Sequence, residues 1–226
     1  MTISFSGLDG AGKTTQIKML LETYQNLGAK VVSIYTYLPD IRYHSAKELH
    51  ILYQRLCAYD VIHIRYRLNS DKNFHIMQQL ERKIPPQRFL ATVATIQDYL
   101  DHRELSKFVL KPLLAEKKTL IFDRYYYDEL AFKYVYGCPK FILESIYRNA
   151  KNTNWGFSLK ISSEECIKRN QSRPDSIVAL YQTKASIDAL VGRFDCIAEK
   201  KKLIFLDGTC TKEVIAALVL KQIALL

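Results

Sequence analysis

Residues 7 to 14, Gly7-Leu8-Asp9-Gly10-Ala11-Gly12-Lys13-Thr14, constrain this chain more than any other stretch, because they fit G-x-x-x-x-G-K-[ST]. A short β-prone run, Ile3 to Ser6, leads into them, and Ile17, Leu20, Leu21, Tyr24 and Leu27 follow on one helical face. Strand, glycine-rich turn and amphipathic helix in that order make a phosphate site. The glycines let backbone N–H groups turn inward, and the helix N-terminus adds the positive end of its dipole. In such a loop Lys13 reaches the β- and γ-phosphates and the Thr14 hydroxyl ligates Mg2+. Gly7, Gly10, Ala11, Gly12 and Thr15 complete the expected nucleotide-binding set. The pattern implies a nucleoside triphosphate without naming the reaction. An Asn-Lys-x-Asp guanine-reading motif is absent, as are Leu-Ser-Gly-Gly-Gln and a strand ending in Asp-Glu, which disfavours GTPases, transporters and motors.

The rest of the chain carries the same alternation. Gly28 stops the first helix, and Lys30 to Tyr37 is a β-branched, aromatic second strand. Thr119 to Phe122 is fully apolar, as in a parallel sheet covered on both faces. Phe157 to Ile161 and Leu203 to Leu206 give two more strands, each followed by a segment that can be helical. Residues 87 to 116 read as a helix, interrupted or bent with Pro112 near its end, and Val214, Ile215, Leu218, Val219 and Ile223 form the apolar face of a last helix. The expectation is an α/β P-loop NTPase fold with a five-stranded parallel sheet flanked by helices, as one domain over 1–226. Residues 38–88, rich in Tyr, His and Arg and without a clean period, read as helices and loops outside the sheet.

Composition narrows the class further. Hydrophobic residues make up 48% and charged residues 25%, which excludes a disordered chain, while 33 Lys+Arg against 23 Asp+Glu leave +10 and call for an anionic partner. Five scattered cysteines without a Cys-x-x-Cys pair read as reduced thiols. No apolar stretch approaches the roughly 20 residues that span a bilayer, and no basic, then apolar leader opens the chain, so a soluble cytoplasmic protein is expected.

The apolar strand ends in Asp123-Arg124-Tyr125. Carboxyl ends of parallel strands face the ligand crevice, so Asp123 is placed to act on Mg2+ or its waters, and Arg124 to hold an anionic acceptor through its fork of donors. A local ion pair that only stabilises the strand end is the other reading of the same two residues.

Taken together, Gly7 to Gln16, Pro112-Leu113-Leu114, Asp123-Arg124-Tyr125, Ala131-Phe132 and Leu206-Asp207-Gly208-Thr209 resemble the thymidylate kinase family along nearly the whole chain. Adenylate kinases usually carry Pro-Gly in this loop, and deoxynucleoside kinases carry Glu-Arg-Ser rather than Asp-Arg-Tyr. The resemblance implies transfer of the γ-phosphoryl group of ATP, with Mg2+, to dTMP to give dTDP in nucleotide biosynthesis, by a homodimer. It assigns Asp9 to the acceptor sugar and to organising Arg124, with Tyr125 beside them. Leu38 to Arg42 is similar to the family's Arg-Glu-Pro segment, so Arg42 would clamp the acceptor phosphate. Tyr99 to Arg103 is similar to Phe-x-x-x-Arg, so Tyr99 would stack on the base and Arg103 would bond its carbonyl edge, although both also read as ordinary helix residues. Residues 166–190 match the lid. This P-loop carries Gly10-Ala11 where one subtype has an arginine, so a lid arginine would stabilise the transferring group, Arg173 first and Arg169 second.

The acceptor side departs from the family. Asp128 stands for its Ser, Phe132 for its Tyr and Lys133 for a base-side Gln. Lys13 and Asp123 are 110 positions apart, longer than the family's usual spacing, with the surplus in 38–88. These departures keep open a kinase of the same scaffold acting on another nucleotide or small metabolite. A nucleic-acid-binding protein that retains ATP is a third reading, from the basic and aromatic run His63-Ile64-Arg65-Tyr66-Arg67, though no nucleic-acid motif accompanies it.

Overall fold

Strands and helices alternate around one parallel sheet, described in the computed structural model over residues 1–35, 46–64, 87–171 and 183–224. The order is β1 (Thr2–Gly7), α1 (Lys13–Asn26), β2 (Val31–Tyr35), α2 (Ala46–Cys57), β3 (Val61–Ile64), α3 (Gln87–Leu105), a wide π-helical turn (Ser106–Leu110) and α4 (Lys111–Ala115). Then come β4 (Thr119–Asp123), α5 (Tyr126–Val135), α6 (Lys140–Ile146), β5 (Trp155–Lys160), α7 (Ser163–Gln171), α8 (Lys184–Lys201), β6 (Ile204–Asp207) and α9 (Lys212–Ile223). The strands lie in the order β3-β2-β4-β1-β5-β6, and every neighbouring pair is parallel.

The sheet therefore has six strands, one more than expected. The addition is β3, which lies inside 38–88 and pairs with the edge of β2 from Val31↔Val61 to Ile34↔Ile64. Four residues are too few for a pattern to show. What makes them a strand is the β2–α2–β3 crossover, a non-local pairing that no local periodicity encodes. The expected interruption of the helix over 87–116 is the turn Ser106–Leu110, directly before Pro112. Proline lacks an N–H and crowds the preceding turn, and the wider winding accommodates both.

Register sorts the side chains into two layers. Ile3, Phe5, Ile121 and Phe157 share one face, where Phe5 and Phe157 stack with ring centroids 5.3 Å apart, in a core with Ile17, Leu20 and Leu21 of α1. On the other face Val32, Ile34, Leu120 and Phe122 pack with Leu49, Leu52 and Leu56 of α2 and with Val109, Leu110 and Leu113. There the buried positions of β1 are Ser4 and Ser6, both at 0% exposure, and their small size admits α5, whose Asp128 accepts a bond from Ser6 Oγ (2.6 Å). Because all pairs are parallel, the carboxyl ends of β1, β2, β4 and β6 open on one edge of the sheet.

Candidate active site

The loop between β1 and α1 depends on glycine at its first position. Gly7 has φ +134°, and a Cβ there would lie 2.4 Å from the Leu159 carbonyl oxygen of β5. Side chains other than hydrogen are thus excluded both by conformation and by the neighbouring strand. Gly12 turns the chain into α1 with φ +99°. The loop borders a cleft of about 310 Å³ lined by Asp9, Gly10, Gly12, Lys13, Thr14, Thr15, Lys18, Tyr35, Asp123 and Arg124.

Lys13 is 5% exposed, and its Nζ donates to the carbonyls of Gly7 (2.9 Å) and Leu8 (2.7 Å). Burial, and then the Arg124 charge, pull its pKa down to about 8 against the opposing carboxylates of Asp9, Asp128 and Asp123. Thr14 Oγ1 donates to Asp123 Oδ2 at 2.8 Å across the cleft floor. These are two hard oxygen donors side by side, with open space above them, which fits Mg2+ held by few protein ligands and completed by phosphate and water. Among the described residues no group of three or more His, Cys, Asp or Glu side chains forms a metal cage.

Arg124 follows Asp123 with φ +72°, and its N–H donates to Phe5 O (3.1 Å), so the strand end turns sharply while still paired to β1. The guanidinium is buried. Its Nη2 donates to Asp9 Oδ1 and its Nη1 to Asp128 Oδ1 (3.2 Å), while the Phe132 ring lies 5.1 Å beneath Cζ. Burial opposes this charge, but Asp9, with Tyr35, Asp128 and Asp123, outweighs it and holds the Arg124 pKa well above its ordinary value.

The start of the expected lid, residues 166–171 at the end of α7, lies on the P-loop. Cys166 Sγ and Asn170 Nδ2 both donate to Asp9 O (3.2 Å each), and Arg169 joins Gly10 O through Nη1 (3.1 Å) and Glu165 through Nε (2.6 Å). Arg169 is thus brought to the phosphate loop. Arg173 and Arg42 lie outside the described residues, as do Arg65, Tyr66 and Arg67.

The residues expected at an acceptor base are not gathered at this cleft. Tyr99 packs edge-on against Tyr147 (centroids 6.1 Å), and Arg103 is 61% exposed beside Glu104 (3.5 Å). From the same turn of α3, His102 is the side chain that meets Tyr125, edge to face at 5.7 Å, and burial holds its pKa down to about 4, so it is neutral. Lys133 bonds Asp98 (2.6 Å) and approaches Glu129 (3.9 Å); burial, then Asp98, push Glu129 up to about 8. Tyr35 and Lys18 line the cleft without having been singled out from the sequence. The strand-end rule that selects Asp123 also selects Tyr35, and Lys18 lies one helical turn beyond Thr14.

No family model matches the chain. A probable thymidylate kinase from Methanocaldococcus jannaschii is 24% identical over 209 residues, 92% of this chain and 87% of its own. Another, from Sulfurisphaera tokodaii, is 25% identical over 206 residues, 91% of this chain and 86% of its own. A thymidylate kinase from Prosthecochloris aestuarii is 26% identical over 176 residues, 76% of this chain and 65% of its own. Among solved structures, deoxyadenosine kinase from M. mycoides, with dCMP and a flexible dCDP bound as products, superposes with a TM-score of 0.60 at 15% identity, covering 100% of both chains. The chain is similar to thymidylate kinases over most of its length, and its fold is that of a P-loop kinase.

Proposed function

We propose that this protein transfers the γ-phosphoryl group of ATP to a nucleoside monophosphate, with dTMP the acceptor its relatives' names favour. The observation that carries the reading is the convergence of Lys13, the Thr14–Asp123 pair and the Asp9–Arg124 pair on one cleft. Phosphoryl transfer needs positioning and charge neutralisation more than covalent chemistry. Lys13 and the loop N–H groups hold the β- and γ-phosphates. Thr14 and Asp123 would hold Mg2+, which would supply neutralisation of the negative charge on the β- and γ-phosphates. Arg124 binds the acceptor's anionic group and aims its oxygen in line. Arg169 is the lid arginine bonded to the loop backbone, and Arg173 and Arg42 are the further arginines of this reading.

A different nucleotide or small phosphorylated acceptor is the second reading. Lys133, Asp98 and Glu129 form a polar, ion-paired group where the family has a neutral Gln, and Arg103 is largely exposed and does not line the cleft. Both readings take the chain as one kinase domain, with 38–88 on the acceptor side and 166–190 as lid, acting in the cytoplasm as a homodimer.

A coupled assay of ADP release across nucleoside monophosphates and nucleosides separates the two. A dTMP response well above the others supports the first reading, and a flat dTMP response beside a strong one elsewhere supports the second. Lys13→Ala should lower kcat by about 10²- to 10³-fold with every acceptor. Retention of full activity in that variant would overturn the mechanism.

A further inference from the structure

Arg124 is held by two carboxylates in unlike settings. The Asp128 side chain is 0% exposed, Arg124 5% and Asp9 32%, so one carboxylate lies behind the guanidinium and the other on the side open to the cleft. Asp128 is fixed from three directions besides its bond to Arg124. Its Oδ2 accepts from Ser6 Oγ (2.6 Å) and from the Tyr125 N–H (3.2 Å), and its own N–H donates to Tyr125 O (2.9 Å). Ser6 belongs to the central strand and Tyr125 to the start of α5, so the carboxylate is tied to both elements. Burial of this kind makes a charge expensive to leave unpaired, whereas an exposed carboxylate can be exchanged for another anion and hydrated at little cost.

We propose that Asp128 is the positioning residue for Arg124, gripping the guanidinium from the buried side while Asp9, on the open side, is the partner exchanged when an acceptor phosphate binds. The inference rests on the kinase reading above, and it adds to that reading the reason why Arg124 stays in place during the exchange. The cradle has a third wall in Phe132, whose ring lies under the guanidinium, and Tyr35 also bonds Arg124. An arginine gripped on one side loses little freedom when it binds a ligand on the other, which lowers the cost of ordering at the moment of binding. Asp128 is the third residue of α5, four positions after Arg124, and the left-handed turn at Arg124 brings the two side chains together.

The test is Asp128→Asn. The amide oxygen can still accept from Ser6 and Tyr125, so the start of α5 keeps its bonds, while the amide NH2 turns a donor toward Arg124 Nη1 and breaks that grip. With the best acceptor from the ADP-release screen, kcat/KM for the acceptor should fall by about tenfold or more, while KM for ATP stays within about twofold. In an Arg124→Lys background the same change should cost less than about twofold more, because a point-charge ammonium has no planar fork with which to span Asp128 on one side and a second anion on the other. Equal losses toward ATP and acceptor, or equal losses in both backgrounds, would mark Asp128 as merely structural and overturn the proposal. A crystal structure of Asp128→Asn provides a readout independent of turnover. The guanidinium should leave the Phe132 ring and follow Asp9, and an unmoved Arg124 overturns the proposal. If the wild-type protein phosphorylates no nucleotide, the kinase reading fails in the acceptor screen, and the crystal structure still decides the positioning role.

Discussion

Lys13 is an unusual lysine: buried, with its Nζ donating to the carbonyls of Gly7 and Leu8, and with its pKa drawn down to about 8 from 10.5 by burial and by Arg124. Its native value lies below its unfolded one. Between these two values the unfolded chain holds more protons, so this group makes the empty protein gain stability as pH rises through that window. Polyphosphate reverses the balance by favouring the ammonium. At pH 8 about half of the empty sites hold a neutral Lys13, so ATP binding should take up about half a proton per site. Titration calorimetry in buffers of different ionisation enthalpy measures this directly. Lys13→Arg, which keeps its charge, should lose that uptake, and equal uptake by both proteins would refute the assignment. The residues of this loop were legible because they are contiguous and each follows from the chemistry of a phosphate. Asp128, Tyr35 and His102 were not, since their roles come from neighbours distant in sequence: Ser6 for Asp128, the cleft for Tyr35 and the ring of Tyr125 for His102.

At the scale of elements, α2 shows how the added strand is held. Lys118, 3% exposed just before β4, donates to Leu56 O (2.8 Å), Cys57 O (2.9 Å) and Tyr59 O (2.6 Å). One ammonium thus satisfies three carbonyls where α2 ends, at the negative end of its dipole, and ties that end to the strand beside β2. Helix α2 in turn brings Leu49, Leu52 and Leu56 onto Val32, Ile34, Leu120 and Phe122. Lys118→Met keeps the aliphatic stem but leaves the carbonyls without their donor, so stability should fall by about 2–4 kcal/mol. Urea unfolding, with the transition midpoint lowered and its slope unchanged, is the check; a loss under about 0.5 kcal/mol would show that water replaces the ammonium. Most element types were legible from periodicity, including the break before Pro112. Strand β3 was hidden because its pairing depends on this crossover, and Lys118 reads in sequence as an ordinary surface lysine.

At the scale of the whole molecule, the parallel sheet explains why one cleft collects residues from so many segments. The P-loop, Tyr35, Asp123-Arg124 and the Asp207-Gly208 turn all leave strands by their carboxyl ends, and a Cβ on Gly208 would lie 3.1 Å from Ala11 O of the P-loop. The fold thus accounts for where the anion-handling charge sits. It leaves a second surface feature unexplained by catalysis. On α3, Ala91 and Thr95 face inward at 7% and 0% exposure, while Val93, Ile96 and Leu100 are 43%, 45% and 43% exposed. Positions i, i+3 and i+7 make one stripe on a helix, and apolar residues in that register on an outer face are suited to burial against a second copy. A homodimer of this chain would have this stripe available for its contact. Sedimentation velocity at micromolar concentration should then give a dimer, and the pair Ile96→Glu and Leu100→Glu should give a monomer, since like charges facing each other across a two-fold contact repel and lose the apolar burial. Neither side chain lines the P-loop cleft, so the monomer should still bind ATP with unchanged affinity. A wild-type protein that sediments as a monomer, or a charged variant that remains dimeric, would remove the stripe from the interface.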